Sequence, residues 1–268
     1  MKQVVAVIGH PIGHTMSPVM HNAAFEATGI DGAYLAFDVL AVELERAIKG
    51  AQALGFLGLN ITIPHKIAAV RYCEPDPLAA DIGAVNTIVF RDGAHGYNTD
   101  ALGALQSLKS AKVRVENRRV LVLGAGGAAR AIVHALVHEG ASVVVANRTR
   151  ERARELCEHI RAEGAGLEGI ASLVRDCDVL INATSVGMGK SESLVRVEWL
   201  HEGQVVFDIV YSPPQTQLLK MAKDAGARTI DGVAMLVHQG AEAFRLWTGV
   251  EPPVDVMEGA VRKALGKG

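Results

Sequence analysis

The sequence predicts an α/β protein of two domains, and three observations predict it. Short β-rich runs alternate with longer helical runs along the whole chain. The alternation becomes regular after the charged stretch "KSAKVRVENRR" (109–119), which reads as a surface crossing between domains. A glycine-rich turn between a strand and a helix opens that second half. Strands separated by helices of about 10–15 residues imply a doubly wound parallel sheet, covered on both faces. At 268 residues the chain is long enough for two cores. The first domain is expected over 1–100, completed by C-terminal helices at about 236–268, and the second over 101–235.

The elements follow in order. "VVAVIG" (4–9) reads as a buried strand. "SPVMHNAAFEATG" (17–29) reads as a helix, with Ser17 as N-cap, Pro18 first in the helix and Gly29 as its stop. "AYLAFDV" (33–39) is a strand, "VELERAIKGAQALG" (42–55) a helix, and "FLGLNITIP" (56–64) a strand ended by Pro64. "NTIVF" (86–90) and "AHGYN" (94–98) flank "RDGA" as a hairpin, and a helix follows over 100–110. Beyond the crossing, strands are expected in "VLVLG", "ASVVVA", "CDVLIN", "QVVFDIV" and "ARTI", and the last helices at about 233–247 and 254–265.

Composition narrows the function. Hydrophobic residues make up 49%, charged residues 21%, and the net charge is -2. No basic run dominates, so a nucleic-acid partner is not expected. The three cysteines, Cys73, Cys157 and Cys177, fit no zinc or disulfide spacing, which suits a reducing, cytoplasmic setting. The N-terminus lacks the apolar core of a signal peptide, and no run approaches the ~20 apolar residues of a membrane span.

"VLVLGAGGAAR" (120–130) carries the clearest chemistry. Gly124 permits the tight turn, Gly126 lets the backbone approach a pyrophosphate, and the helix start offers free N–H groups to the anion. The next strand ends without the Asp or Glu that would hold a ribose 2′-hydroxyl. Asn147, Arg148 and Thr149 follow it, then Arg150 and Arg152. Guanidinium groups there suit a 2′-phosphate, so NADP is expected over NAD.

The first domain carries separate polar positions near strand ends: Asn60, Thr62 and Lys66 in "LNITIPHK", Asn86 in "GAVNT", and Asp100 in "GYNTD". Ligands of α/β proteins gather outside such ends, and this mixture suits a small polyhydroxylated molecule. His10, His14 and His21 crowd "GHPIGHTMSPVMHN", but Pro11 and Gly13 interrupt any helical pairing, and no metal site is expected. His21 is expected to satisfy a core hydrogen bond.

The blocks "GHPIGHTMSPVMHNAAF", "LNITIPHK", "GAVNT", "GYNTD", "GAGGAARA", "NRT", "NATSVGM", "DIVYSPPQTQLL" and "DGVAMLVHQGAEAFRLWTG", in this order, resemble the shikimate dehydrogenases over residues 4 to about 262. The first two look most like archaeal forms. The resemblance implies an N-terminal α/β substrate-binding domain and a C-terminal doubly wound (Rossmann) NADP-binding domain. It implies NADPH-dependent reduction of 3-dehydroshikimate to shikimate, in the pathway to chorismate and the aromatic amino acids. Catalysis would fall to Lys66 as acid, with Asp100 holding the lysine and a substrate hydroxyl. Thr15 and Ser17 would hold the substrate carboxylate; the family mostly has Ser at the first, and Thr15 keeps the hydroxyl. Thr62, Asn86, Tyr211 and Gln239 complete the implied substrate set, and Ala101 stands where Gly is usual. The implied cofactor set is Gly124, Ala125, Gly126, Gly127, Ala128, Asn147, Arg148, Thr149, Arg152, Ile209 and Gly232. Two alternatives stay open: a quinate/shikimate dehydrogenase of broader use, and a non-catalytic NADP-binding sensor. The partners implied are small molecules, with neither nucleic acid nor membrane, for a monomer or homodimer.

Overall fold

The computed structural model describes residues 2–266, which divide into two compact units. One unit holds the residues up to Gly103 and those from Val237 on; the other is Ala104–Leu236.

The first unit is built on a mixed sheet. Its strands are β1 (Gln3–Gly9), β2 (Gly32–Asp38), β3 (Gly58–Ile61), β4 (Glu74–Pro75), β5 (Thr87–Phe90) and β6 (Ala94–Tyr97), in the order β2-β1-β3-β5-β6-β4. β1 runs parallel to β2 and β3, whereas β5 is antiparallel to both β3 and β6. The apolar run Val5–Ile8 makes β1 an interior strand, buried from Val5 to its end. The helices are α1 (Ser17–Thr28), α2 (Leu44–Ala53), α3 (Pro77–Ile82) and α4 (Asp100–Ser110), the last of which crosses the unit boundary.

Three sequence expectations are corrected here. Ser17 is the first residue inside α1 rather than its N-cap, which is Met16. The shift is tolerated because the first helical amides have no partner within the helix, so Pro18 costs nothing one position later. The helix over 42–55 is shorter: a 3₁₀ turn covers Ala41–Glu43 and α2 starts at Leu44. The stretch 109–119 is no crossing between units. It lies inside the second unit, where Val115 is buried in the core and Val113 packs against it. The boundary instead falls within the continuous helix α4, which leaves no compositional break to read.

The second unit carries β7 (Arg119–Leu123), α5 (Gly127–His138), β8 (Ser142–Ala146), α6 (Arg150–Cys157), β9 (Ala162–Ala165), α7 (Ile170–Asp176), β10 (Val179–Asn182), β11 (Val205–Asp208), α8 (Gln217–Asp224) and β12 (Arg228–Ile230). Its sheet is wholly parallel, in the order β12-β11-β10-β7-β8-β9. Strand order reverses between β7 and β10, the switch point at which such sheets bind ligands. Alternate residues of β7 enter different cores: Val120 and Val122 one, Leu121 and Leu123 the other. The sheet is therefore covered on both faces, as the doubly wound pattern requires.

Two helices close the chain, α9 (Gly232–Thr248) and α10 (Val254–Leu265). Most of α9 and all of α10 belong to the first unit, where α10 packs on α1. Trp247 of α9 donates its indole N–H to the Ile88 carbonyl at 2.9 Å. Gly58 makes room for that contact, since a Cβ there would lie 2.3 Å from the indole nitrogen. No helix among the described residues is long and apolar enough to cross a membrane.

Candidate active site

Topology gathers the polar positions of the first unit at one edge of its sheet. β1 and β3 are parallel neighbours, so both finish at the same edge. β5 starts there, because its pairing with β3 sets Thr87 opposite Asn60. β6 finishes there too, since Tyr97 pairs with Thr87. Four segments thus emerge together: the loop carrying Thr15 and Ser17, the turn carrying Thr62 and Lys66, the start of β5 with Asn86, and the start of α4 with Asp100. Backbone bonds tie them. His10 N–H reaches the Ile63 carbonyl at 2.9 Å, and Val85 N–H the Lys66 carbonyl at 2.9 Å. Gly9 permits the first approach, because a Cβ would lie 2.3 Å from the Thr62 methyl.

At the centre Lys66 Nζ donates to Asp100 Oδ2 at 2.6 Å. The side chains are 13% and 4% exposed. A charged pair so far from water persists only with its remaining valences filled. Asn86 fills one, donating to Asp100 Oδ1 at 3.0 Å. Gln239 Oε1 of α9 lies 3.4 Å from the same Asn86 amide nitrogen. Asn98 Oδ1 accepts from the Asp100 and Ala101 amides at 3.1 and 3.4 Å, which leaves the Asp100 carboxylate to Lys66 and Asn86. Thr15 Oγ1 accepts from the Ser17 amide at 3.3 Å.

The histidines play other parts. His10 Nδ1 lies 3.0 Å from Asp38 Oδ1, both side chains exposed. His21 corrects the expectation of a core hydrogen bond. It is fully buried, neither ring nitrogen has a partner, and it stacks on Tyr34 with centroids 4.3 Å apart at 7°. Burial pulls its pKa down to about 3, so the ring stays neutral and packs as an aromatic.

In the second unit the turn from β7 to α5 distinguishes two glycines. Gly124 has φ of +109°, and a Cβ there would lie 2.9 Å from the Ala183 carbonyl oxygen; the fold itself requires glycine. Gly126 has no such need, because a Cβ there would meet nothing within 4 Å. The chain leaves open space over the start of a 12-residue helix, where amides face an anion. Arg148, Thr149, Arg150 and Arg152 are exposed beyond the end of β8, where no carboxylate occupies positions 146–150. Asn147 donates to the Thr149 carbonyl at 2.8 Å and fixes that corner. This donor set fits a dinucleotide bearing a 2′-phosphate.

Sequence comparison agrees. Residues 7–88 match the family model of the shikimate dehydrogenase substrate binding domain, 106–231 that of shikimate / quinate 5-dehydrogenase, and 232–262 that of the shikimate 5'-dehydrogenase C-terminal domain. The NADP(+) shikimate dehydrogenase of Methanococcoides burtonii is 51% identical over 267 residues, 99% of each chain. The chain belongs to the shikimate dehydrogenase family. Solved shikimate dehydrogenases share the fold. One in complex with NADP+ superposes with a TM-score of 0.92 at 43% identity, covering 98% of this chain and 96% of that one. Another, from Thermus thermophilus in complex with NADP(H) and shikimate, gives 0.91 at 40%, covering 98% and 99%.

Within this family frame, Lys66, Asn86, Asp100 and Gln239 form one connected cluster in the first unit, with Thr15, Ser17 and Thr62 on neighbouring segments of the same edge. Tyr211 belongs to the second unit, as do Ile209 and Gly232. Gly232 is required by packing, since a Cβ there would lie 2.4 Å from the Ile209 carbonyl oxygen. The buried Asp208 holds the same corner, accepting from Thr216 Oγ1 at 2.6 Å, Asn182 Nδ2 at 2.8 Å and the Val210 amide at 3.1 Å. Burial raises its pKa against the pull of those bonds. Sequence reading missed Asp208, Asn98, Thr87 and Tyr34. The "DIVY", "YNTD" and "VNT" blocks contain the first three, but only their contacts distinguish them. Asn60 faces inward, engaged by Tyr34 and Thr87, rather than standing with the ligand-facing group.

Proposed function

We propose that the protein catalyses the reversible, NADPH-dependent reduction of 3-dehydroshikimate to shikimate. The observation that carries the reading is the buried Lys66–Asp100 pair, braced by Asn86 at the sheet edge where the polar segments converge. Bound NADPH supplies the hydride, which no side chain can. Lys66 donates a proton to the carbonyl oxygen as negative charge builds on it. Asp100 holds the ammonium in place and takes a ring hydroxyl, while Asn86 and Gln239 orient the ring. Thr15, Ser17 and the start of α1 hold the carboxylate, and Thr62 completes the substrate contacts of the first unit. Residues Gly124 to Ala128 would hold the pyrophosphate, and Ile209 and Gly232 would complete the cofactor-binding set. Asn147, Arg148, Thr149 and Arg152 take the adenosine 2′-phosphate, which Arg can grip with two hydrogen bonds.

The test is absorbance at the NADPH band. Shikimate with NADP is expected to raise it, and NAD to serve far less well. Turnover of quinate but not of shikimate would move the assignment to the broader alternative. Binding of NADP with no turnover of either acid would leave a sensor.

A further inference from the structure

Behind Asp100 and Asn86 lies a chain of buried polar groups, Thr87, Asn60 and Tyr34, for which the proposed chemistry has no direct use. Tyr34 hydroxyl donates to Asn60 Oδ1 at 2.6 Å. Asn60 Nδ2 donates to Thr87 Oγ1 at 3.0 Å and to the Asn86 carbonyl at 3.1 Å. Thr87 hydroxyl donates to Asn86 Oδ1 at 3.1 Å. Asn86 Nδ2 then donates to Asp100 Oδ1 at 3.0 Å. Tyr34, Asn60, Asn86, Thr87 and Asp100 are all buried. The chain therefore crosses from β2 through β3 and β5 to the start of α4 with little access to water.

The direction of every link is determined by groups with only one role. The Asn86 carbonyl can only accept, which turns the Asn60 amide nitrogen towards it and presents Asn60 Oδ1 to Tyr34. The Thr99 amide can only donate. It reaches Asn86 Oδ1 at 2.7 Å, which turns the Asn86 nitrogen towards Asp100. Thr87 Oγ1 receives an N–H from Asn60 and has one proton to pass on; Asn86 Oδ1, at 3.1 Å, is a nearer acceptor than Thr99 Oγ1 at 3.4 Å. All donors thus point towards the Asp100 carboxylate. Such aligned bonds polarise one another in a low-dielectric interior.

We infer that Thr87 and Tyr34 are positioning residues, which act through Asn60 and Asn86 to hold the Asp100 carboxylate, and with it Lys66, in the reactive geometry. Thr87 is the pivot because it alone accepts from one amide and donates to the other. Tyr34 is the anchor: its ring is locked against His21, so its hydroxyl gives the chain a fixed end. This inference rests on the reduction proposed above.

The test is steady-state kinetics of the intact protein with shikimate and NADP. Thr87→Val keeps the side-chain shape and breaks both Thr87 links. It is expected to lower kcat about tenfold while KM for shikimate stays within about twofold, because the lost alignment matters in the transition state. Thr87→Ser restores the hydroxyl and is expected to return kcat to within about twofold of wild type. Tyr34→Phe keeps the stacked ring and is expected to lower kcat about threefold at unchanged KM. Wild-type kcat in Thr87→Val or Tyr34→Phe, or a loss in Thr87→Val that Thr87→Ser does not restore, overturns the inference. Should Thr87→Val not fold, Tyr34→Phe decides alone. Active wild type with unaffected variants removes only the positioning role; wild type that turns over neither shikimate nor quinate removes the reaction and the role together.

Discussion

The two units prepare for their ligands in opposite ways. In the first, the central candidate residues are buried or half-buried side chains already bonded to one another: Asp100 is gripped by Lys66 and Asn86, and Asn86 by Thr99 and Thr87. In the second, the candidate residues are a glycine turn with open space above it and a row of exposed arginines. The difference follows from what each ligand needs. A proton transfer gains from dipoles and charges set in place beforehand, since reorganising them would add to the barrier. A phosphate brings enough charge of its own to order long cationic side chains and backbone amides when it binds.

That contrast can be broken at its strongest point first. Lys66→Ala is expected to lower kcat by ~10²-fold or more with little change in KM for shikimate, the scale of a lost acid–base group. A near-normal kcat would take Lys66 out of the chemistry. Within the second unit, Gly124 and Gly126 separate fold from ligand. Gly124→Ala is expected to lower stability by about 1–2 kcal/mol or more, from left-handed strain plus the contact with Ala183, seen as a fall in Tm. Gly126→Ala is expected to leave Tm nearly unchanged and to weaken NADPH binding. Equal Tm losses for the two would remove the case for a ligand above Gly126. Arg148→Ala is expected to raise Kd for NADPH about tenfold, the scale of one charge-assisted contact, and to leave NADH almost untouched. Titrations showing the same loss for both cofactors would sink the 2′-phosphate clamp.

An effect seen only on acidification concerns His21. Its folded pKa, about 3, lies below the unfolded value near 6.5. Between those values the unfolded chain binds a proton that the folded chain refuses. Its effect on stability is thus absent above about pH 6.5 and grows as pH falls, reaching on the order of 1 kcal/mol by pH 6. His21→Phe is expected to flatten the fall of Tm between pH 7 and 5; an unchanged slope would mean that other groups carry the acid sensitivity.

Much of this was legible in the amino acids. The first four strands foreseen, the hairpin, the glycine turn and the closing helices all carry local signals: apolar runs, Pro18 and Gly29 around α1, Gly124 after β7. What was missed lacked such signals. The short elements β4, α3 and β9 have no clear periodicity, and β4 exists only because β6 lies beside it. The unit boundary lies inside α4, where the helical pattern continues unbroken.

The amino acids alone specify the alternation of strands and helices, the anion-binding turn, the lack of an Asp or Glu at the end of β8, and the residue types Lys66, Asn86 and Asp100. These depend on spacing and chemical identity, which a linear string preserves. It took the tertiary structure to pair Asp100 with Lys66 while Asn98 accepts from the first amides of α4, to stack His21 without a hydrogen bond, and to turn Asn60 inward to Tyr34. Each of those residues has more than one chemically sensible partner within its own segment. The choice was made by groups brought from 13 positions away (Tyr34 to His21) to 34 (Lys66 to Asp100) by the tertiary fold, since a buried donor or acceptor takes whatever partner the fold places within reach.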